Sequence, residues 1–256
     1  MKSCNDTESK SGWNKCTRST AVNAFEFAQM SANNYAFYAK GGEISGSNAF
    51  YLGDKFEHIK RTDRFDSGLT YDVYRKTRAD GTYEMIIAFK GTDGTKDWKY
   101  GNIGSRQRWQ SIEAYDQVRD SFDGDISVTG HSLGGALATQ VSLCREVKTT
   151  YIFDSSPRFR AKCGKGNKVY YDNGKRYSIA EKGEINKILR IFGNEATQTY
   201  TSLNCLRDGN AIDQHDMHQL AECLTWIGQL ADNVKLANKA KDSVLRNSIK
   251  ADYSLP

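Results

Sequence analysis

Few short patterns restrict a fold as tightly as Gly130-His131-Ser132-Leu133-Gly134 in its setting here. Asp125 to Thr129 before it is a short, partly β-branched run, and Leu133 to Arg145 after it is rich in small residues such as Gly135, Ala136 and Ala138. Thr149 to Phe153 then reads as a second strand. Strand, crossover helix and strand at this spacing predict parallel pairing in a sheet covered on both faces. The serine falls where the first strand turns into the helix. A strained backbone at such a turn lifts the side chain above the sheet, and glycines two residues to either side remove Cβ atoms that would collide. The opening of the helix aims N–H groups and the positive end of its dipole at the same point. Ser132 is therefore a candidate nucleophile.

The rest of the chain is consistent with one α/β domain. Its 256 residues, 38% of them hydrophobic, suffice for a sizeable core, and no apolar run is long enough to span a bilayer. Residues 1–18 read as a loose polar arm and 19–256 as a single domain. Val22, Phe25, Phe27, Ala28, Ala32, Tyr35 and Ala36 predict a helix over Ala21 to Lys40, capped by Ser19 or Thr20. Leu69 to Lys76 and Tyr83 to Phe89 predict a hairpin turning at Asp80-Gly81. Gln107 to Phe122 reads as a helix with Trp109, Ile112, Tyr115 and Val118 on one side. Asn173-Gly174 suggests another hairpin, Lys165 to Arg176 an exposed insertion, Ile188 to Phe192 a buried strand, and the region from Met217 a helix.

The net charge is +5, from 36 basic and 31 acidic residues, and the basic residues are scattered, which argues against nucleic acid as a partner. The first residues lack the apolar core of a secretion signal. Six cysteines, Cys4, Cys16, Cys144, Cys163, Cys205 and Cys223, show no zinc or CxxC spacing; free thiols and up to three disulfides both remain open.

Gly130-His131-Ser132-Leu133-Gly134-Gly135-Ala136-Leu137-Ala138 resembles the elbow of the class 3 (fungal-type) lipase family. Ile86-Ile87-Ala88-Phe89-Lys90-Gly91-Thr92-Asp93, with Asp97-Trp98 beyond it, is similar to that family's Phe-Arg-Gly-Thr…Asp-Trp segment. The resemblance covers residues 69–160 well. Lys90 stands where the family has arginine, and the acidic residue expected shortly after Trp98 is missing. The resemblance implies an α/β-hydrolase fold with a central, mostly parallel sheet and a lid within Asp93 to Gln110. It implies a serine-dependent carboxylic ester hydrolase acting at a lipid surface, glycerophospholipid ahead of triacylglycerol, with no metal or organic cofactor. A thioesterase, a peptidase and an inactive lipase-like interaction protein are the alternatives. The chain also resembles lipase-type effectors that bacteria deliver to competitors, which implies export and a cognate inhibitor. Oligomeric state stays open.

Acyl transfer needs oxyanion donors, a base and an acid that orients the base. The N–H of Leu133, next after the nucleophile, is one expected donor, and by resemblance Thr92 is the other. Of four histidines, His58 precedes the serine and His131 adjoins it, pointing away from its Oγ. His215 and His218 remain, and the family's histidine before a terminal helix favours His215. For the acid, Glu195 occupies the place of the lipase aspartate in Ile188-Leu189-Arg190-Ile191-Phe192-Gly193-Asn194-Glu195. Asp154, Asp208 and Asp213 stay open as alternatives.

Overall fold

The computed structural model describes residues 3–5, 13–35, 49–64, 66–91, 103–156, 163, 175–181, 198–203, 205 and 215–229. Its strands are β1 (Ser3–Asn5), β2 (Phe56–Arg64), β3 (Leu69–Thr77), β4 (Tyr83–Phe89), β5 (Asp125–His131), β6 (Thr150–Phe153), β7 (Arg176–Glu181) and β8 (Thr199–Leu203). The helices are α1 (Lys15–Asn33), α2 (Ile103–Arg119), α3 (Leu133–Cys144) and α4 (Met217–Gln229). All eight strands form one sheet in the order β1-β8-β7-β6-β5-β4-β3-β2. Pairing is parallel from β4 through β8 to β1, and antiparallel at the β2–β3–β4 edge.

Alternation along the central strands divides the core in two, because successive side chains leave a strand on opposite faces. Ile86, Ala88, Tyr151 and Phe153 join α1 and α4 residues such as Phe27, Met30, Leu220 and Leu224 in one buried cluster. Ile87, Phe89 and Ile152 join Ile112, Tyr115, Leu137 and Val141 of α2 and α3 in the other. The result is a sheet with helices on both faces. A few polar pairs cross the first layer: Ser31 Oγ lies 3.0 Å from Thr129 Oγ1, and Gln29 Nε2 donates to Thr225 Oγ1 at 3.0 Å.

The hairpin at Asp80-Gly81 forms as expected, with Gly81 at φ 79° and the Asp80 carboxylate accepting from Thr82 N–H at 2.9 Å. The strand–helix–strand unit also forms, with parallel β5–β6 pairing. Elsewhere the boundaries move. The first helix starts at Lys15, where Asn14 Oδ1 accepts from Thr17 N–H at 2.9 Å, so its cap is neither Ser19 nor Thr20. It ends at Asn33 instead of Lys40. The expected loose arm therefore gives way at two places, since Ser3–Asn5 also pairs with β8. Trp109 is 45% exposed, although Ile112, Tyr115 and Val118 on the same helix are buried. Arg176, read as part of an exposed insertion, is wholly buried in β7, where its guanidinium donates to the Ser142 carbonyl at 3.3 Å. The Asn173-Gly174 hairpin and the strand at Ile188 to Phe192 lie outside the described residues.

Disulfides join Cys144 to Cys163 and Cys205 to Cys223, and Cys16 is also disulfide-bonded. No helix among the described residues is long and apolar enough to cross a membrane.

Candidate active site

Ser132 stands between β5 and α3 with φ 55° and ψ −121°, a conformation that side-chain-bearing residues rarely adopt. Three hydrogen bonds hold it. The Ser132 N–H donates to the Phe153 carbonyl at 3.0 Å, and the Ser132 carbonyl accepts from Ser156 N–H at 2.9 Å and from Ala136 N–H at 3.3 Å. The turn also needs close backbone approach. A Cβ on Gly134 would overlap the Phe89 carbonyl at the end of β4, and one on Gly130 would overlap the Gly134 backbone. Leu133 is the first helical residue, so its N–H is among those with no acceptor inside the helix. This is the geometry of a nucleophile elbow, with an N–H beside the serine as an oxyanion donor requires.

The second expected donor, Thr92, lies outside the described residues, but Gly91 before it is placed. A Cβ on Gly91 would come within 3.1 Å of Ser132 Cβ, so the exit of β4 borders Ser132. Tyr35, just beyond α1, ties this exit to the elbow. Its hydroxyl accepts from Gly91 N–H at 3.1 Å and lies 2.9 Å from His131 Nδ1. No signal in the sequence singled out Tyr35. Its role depends on where α1 ends against the sheet.

The two candidate bases are separated by the start of α4. Asp216 caps that helix, its Oδ1 accepting from His218 N–H at 2.7 Å and Gln219 N–H at 3.1 Å. His218 therefore lies inside the helix. It pairs with Glu222 at 3.1 Å and packs on Phe50 with ring centroids 4.6 Å apart. His215 lies before the cap, and its ring is 4.6 Å from that of His131. The structure thus brings His215 to the elbow and holds His218 against α4.

Asp154 follows β6 directly, on the strand next to the one that ends at Ser132. It is fully buried, with φ 39°, and among the described residues only it and Ser132 have positive φ without being glycine. Its N–H donates to the Ile179 carbonyl at 2.9 Å, and its Oδ1 accepts from Glu181 N–H at 2.9 Å. One Asp154 oxygen and one ring nitrogen each of His131 and His215 lie within 4.8 Å of one another. Glu195, Asp208 and Asp213 lie outside the described residues. Glu181, also buried, is turned to another task, accepting from Cys205 N–H at 2.7 Å.

Ser132, Gly91, Asp154 and the end of β7 thus meet at the carboxyl ends of parallel strands, where open α/β sheets place their ligand sites. Strain in two neighbouring backbone positions at such a place is a mark of function.

Residues 47–164 match the family described as phospholipase-like, Tle-like phospholipase domain. No curated protein sequence matches the chain. Among solved structures, a lipase from Rhizopus microsporus var. chinensis is similar at 15% identity over 71% of this chain and 74% of that one, with a TM-score of 0.52. An MDLA point mutant from Penicillium cyclopium is similar at 15% identity over 76% of this chain and 84% of that one, with a TM-score of 0.50. The fold is the α/β-hydrolase fold.

Proposed function

We propose that this chain, a lipid ester hydrolase by its phospholipase-like domain and its α/β-hydrolase fold, cleaves glycerophospholipid through Ser132. The observation that carries the reading is the strained Ser132 backbone at the exit of β5, with His215 and Asp154 gathered at the same end of the sheet. Ser132 Oγ attacks the ester carbonyl and passes its proton to His215. The tetrahedral oxyanion is met by the N–H of Leu133 and by Thr92, which follows Gly91 at the nucleophile's flank. His215 returns the proton to the leaving alcohol, and water then releases the acyl group by the same route.

Asp154 takes the place of Glu195 as the orienting acid in this reading. Its carboxylate lies by His215 and is fixed by Glu181 N–H, so it can hold the imidazole in one tautomer and stabilise the cation that forms. The phospholipase-like description of residues 47–164 supports phospholipid over triacylglycerol as substrate.

The test is labelling with a fluorophosphonate together with turnover on phospholipid, triacylglycerol, thioester and peptide. Wild type should label at Ser132 and turn over phospholipid fastest. Ser132→Ala should lose roughly 10⁴ to 10⁶-fold, His215→Ala nearly as much, and Asp154→Asn about 10⁴-fold. His218→Ala and Glu195→Gln should cost little. A large loss in Glu195→Gln with a mild one in Asp154→Asn would return the acid to Glu195. Absence of labelling in folded protein would end the hydrolase reading.

A further inference from the structure

Acyl transfer at Ser132 uses one imidazole, and the site holds two. His131 is buried, and its ring lies 4.6 Å from that of His215. One nitrogen of each ring and one oxygen of Asp154 lie within 4.8 Å of one another. We propose that His131, Asp154 and His215 form a Zn²⁺ site whose occupation switches the hydrolase off. The metal half of this proposal stands on those three residues. The inhibitory half rests on the reading of Ser132 and His215 given above.

Two imidazoles and a carboxylate are the donor set of three-ligand zinc sites, whereas Ca²⁺ and Mg²⁺ favour oxygen. Zinc bonds of about 2.0–2.2 Å in tetrahedral arrangement put ligand atoms roughly 3.4 Å apart. Side-chain shifts of about 1 Å therefore close the observed 4.8 Å spread around an ion. The surroundings supply the outer hydrogen bonds that metal ligands require. The Tyr35 oxygen, 2.9 Å from His131 Nδ1, can accept from Nδ1–H and so direct Nε2 at the ion. Gly91 N–H fixes that oxygen from the other side, and Glu181 N–H fixes the Asp154 carboxylate. Both supports come from backbone at strand exits, so they are rigid. Cys16, Cys144, Cys163, Cys205 and Cys223 are bonded as disulfides and do not compete for the metal.

Zinc bound to the His215 nitrogen that faces Asp154 leaves the ring's one proton on the other nitrogen, which then has no lone pair to receive the serine proton. It also takes the carboxylate that would orient His215. The serine is then left without a base, and turnover stops until the ion leaves.

The experiment uses the full chain with disulfides intact and metals stripped by chelator. Calorimetric titration of Ser132→Ala with ZnCl₂ at neutral pH should show one ion per chain. His131→Asn in the same background should lose that site, while His218→Gln should keep it. Absence of stoichiometric binding, or its retention in His131→Asn, overturns the proposal. If His131→Asn does not fold, X-ray absorption of the Zn²⁺-loaded parent decides: two imidazoles and one oxygen support the site, and any other protein shell overturns it. Inhibition is read separately by fluorophosphonate labelling of wild type. At about ten times the dissociation constant, mass action leaves about one site in ten free, so labelling should slow about tenfold and recover with EDTA. Binding without slowing overturns the switch. Protein that fails to label without Zn²⁺ instead refutes the hydrolase reading, and the calorimetry still decides the metal site.

Discussion

Replacing Ser132 by glycine should stabilise the protein relative to replacing it by alanine. Ser132 sits at φ 55°, ψ −121°. An L-residue held in such a sparsely populated region costs about 1–3 kcal/mol. Alanine keeps its Cβ and therefore keeps the strain. Glycine reaches positive φ without penalty but loses more conformational freedom on folding, which offsets about 0.5–1 kcal/mol of the gain. Neither variant has the hydroxyl, so the loss of its hydrogen bonds cancels between them. Glycine should then exceed alanine by about 0.5–2 kcal/mol, or about 1–8 °C for a chain of this size. Urea unfolding with intact disulfides and scanning calorimetry would both measure this difference, without substrate present. Ser19, exposed in α1, provides the control of opposite sign. There alanine should exceed glycine by about 1 kcal/mol, as in any helix interior. A Ser132→Gly protein no more stable than Ser132→Ala would mean that the elbow stores no strain, and the functional reading of its backbone would fall with it.

The Cys205–Cys223 bond closes a separation of 18 residues and fastens α4, the helix that follows His215. Chain-entropy reasoning assigns such a loop about 3 kcal/mol, so Cys205→Ser/Cys223→Ser should lower Tm by about 6–12 °C in calorimetry; a change under about 2 °C would refute the crosslink in solution. A second expectation concerns acid. Burial raises the Asp125 carboxyl, but hydrogen bonds from Arg78 and Lys148 outweigh it and hold the group below its ordinary value. A carboxyl lowered in the folded state stabilises fully above its unfolded value of about 3.9 and loses that contribution as pH falls through the lower folded value. The difference in urea midpoint between wild type and Asp125→Asn should therefore stay constant down to about pH 5 and shrink below it. A difference that grows on acidification would contradict the assignment.

What the sequence showed plainly was local. The elbow, the small-residue helix after it and the Asp80-Gly81 turn each bind a few neighbouring residues into one conformation, so their signals lie within a short window. The strands at the margins were harder to read. β2, Phe-Glu-His-Ile-Lys-Arg-Thr-Asp-Arg, is an edge strand, and edges carry charge that discourages pairing with another chain, which erases the apolar signature. β7 opens with Arg176, whose burial depends on the Ser142 carbonyl of α3. No window around Arg176 contains that acceptor. The start of α1 was lost for the converse reason: Asn14 is a good cap, but the polar residues after it carry no periodicity to announce a helix.

The site shows the same division, and its acid shows why. Glu195 stands out only by its place in a family pattern, whereas Asp154 is distinguished by properties of the fold: burial, positive φ, and an N–H from Glu181 on its carboxylate. These are not independent. The Ser132 N–H is held by the Phe153 carbonyl, the Asp154 N–H by the Ile179 carbonyl, and Ser156 N–H returns to the Ser132 carbonyl. The two strained residues are therefore fixed by one ladder across β5, β6 and β7. Strain of this kind persists only where surrounding bonds determine the backbone more strongly than local preference does. A ladder that forces both turns at once also fixes the distance between what they carry. In the proposed reaction Ser132 and Asp154, on neighbouring strand exits, then need only a histidine delivered from outside the sheet, and His215, set just before the Asp216 cap of α4, arrives from there.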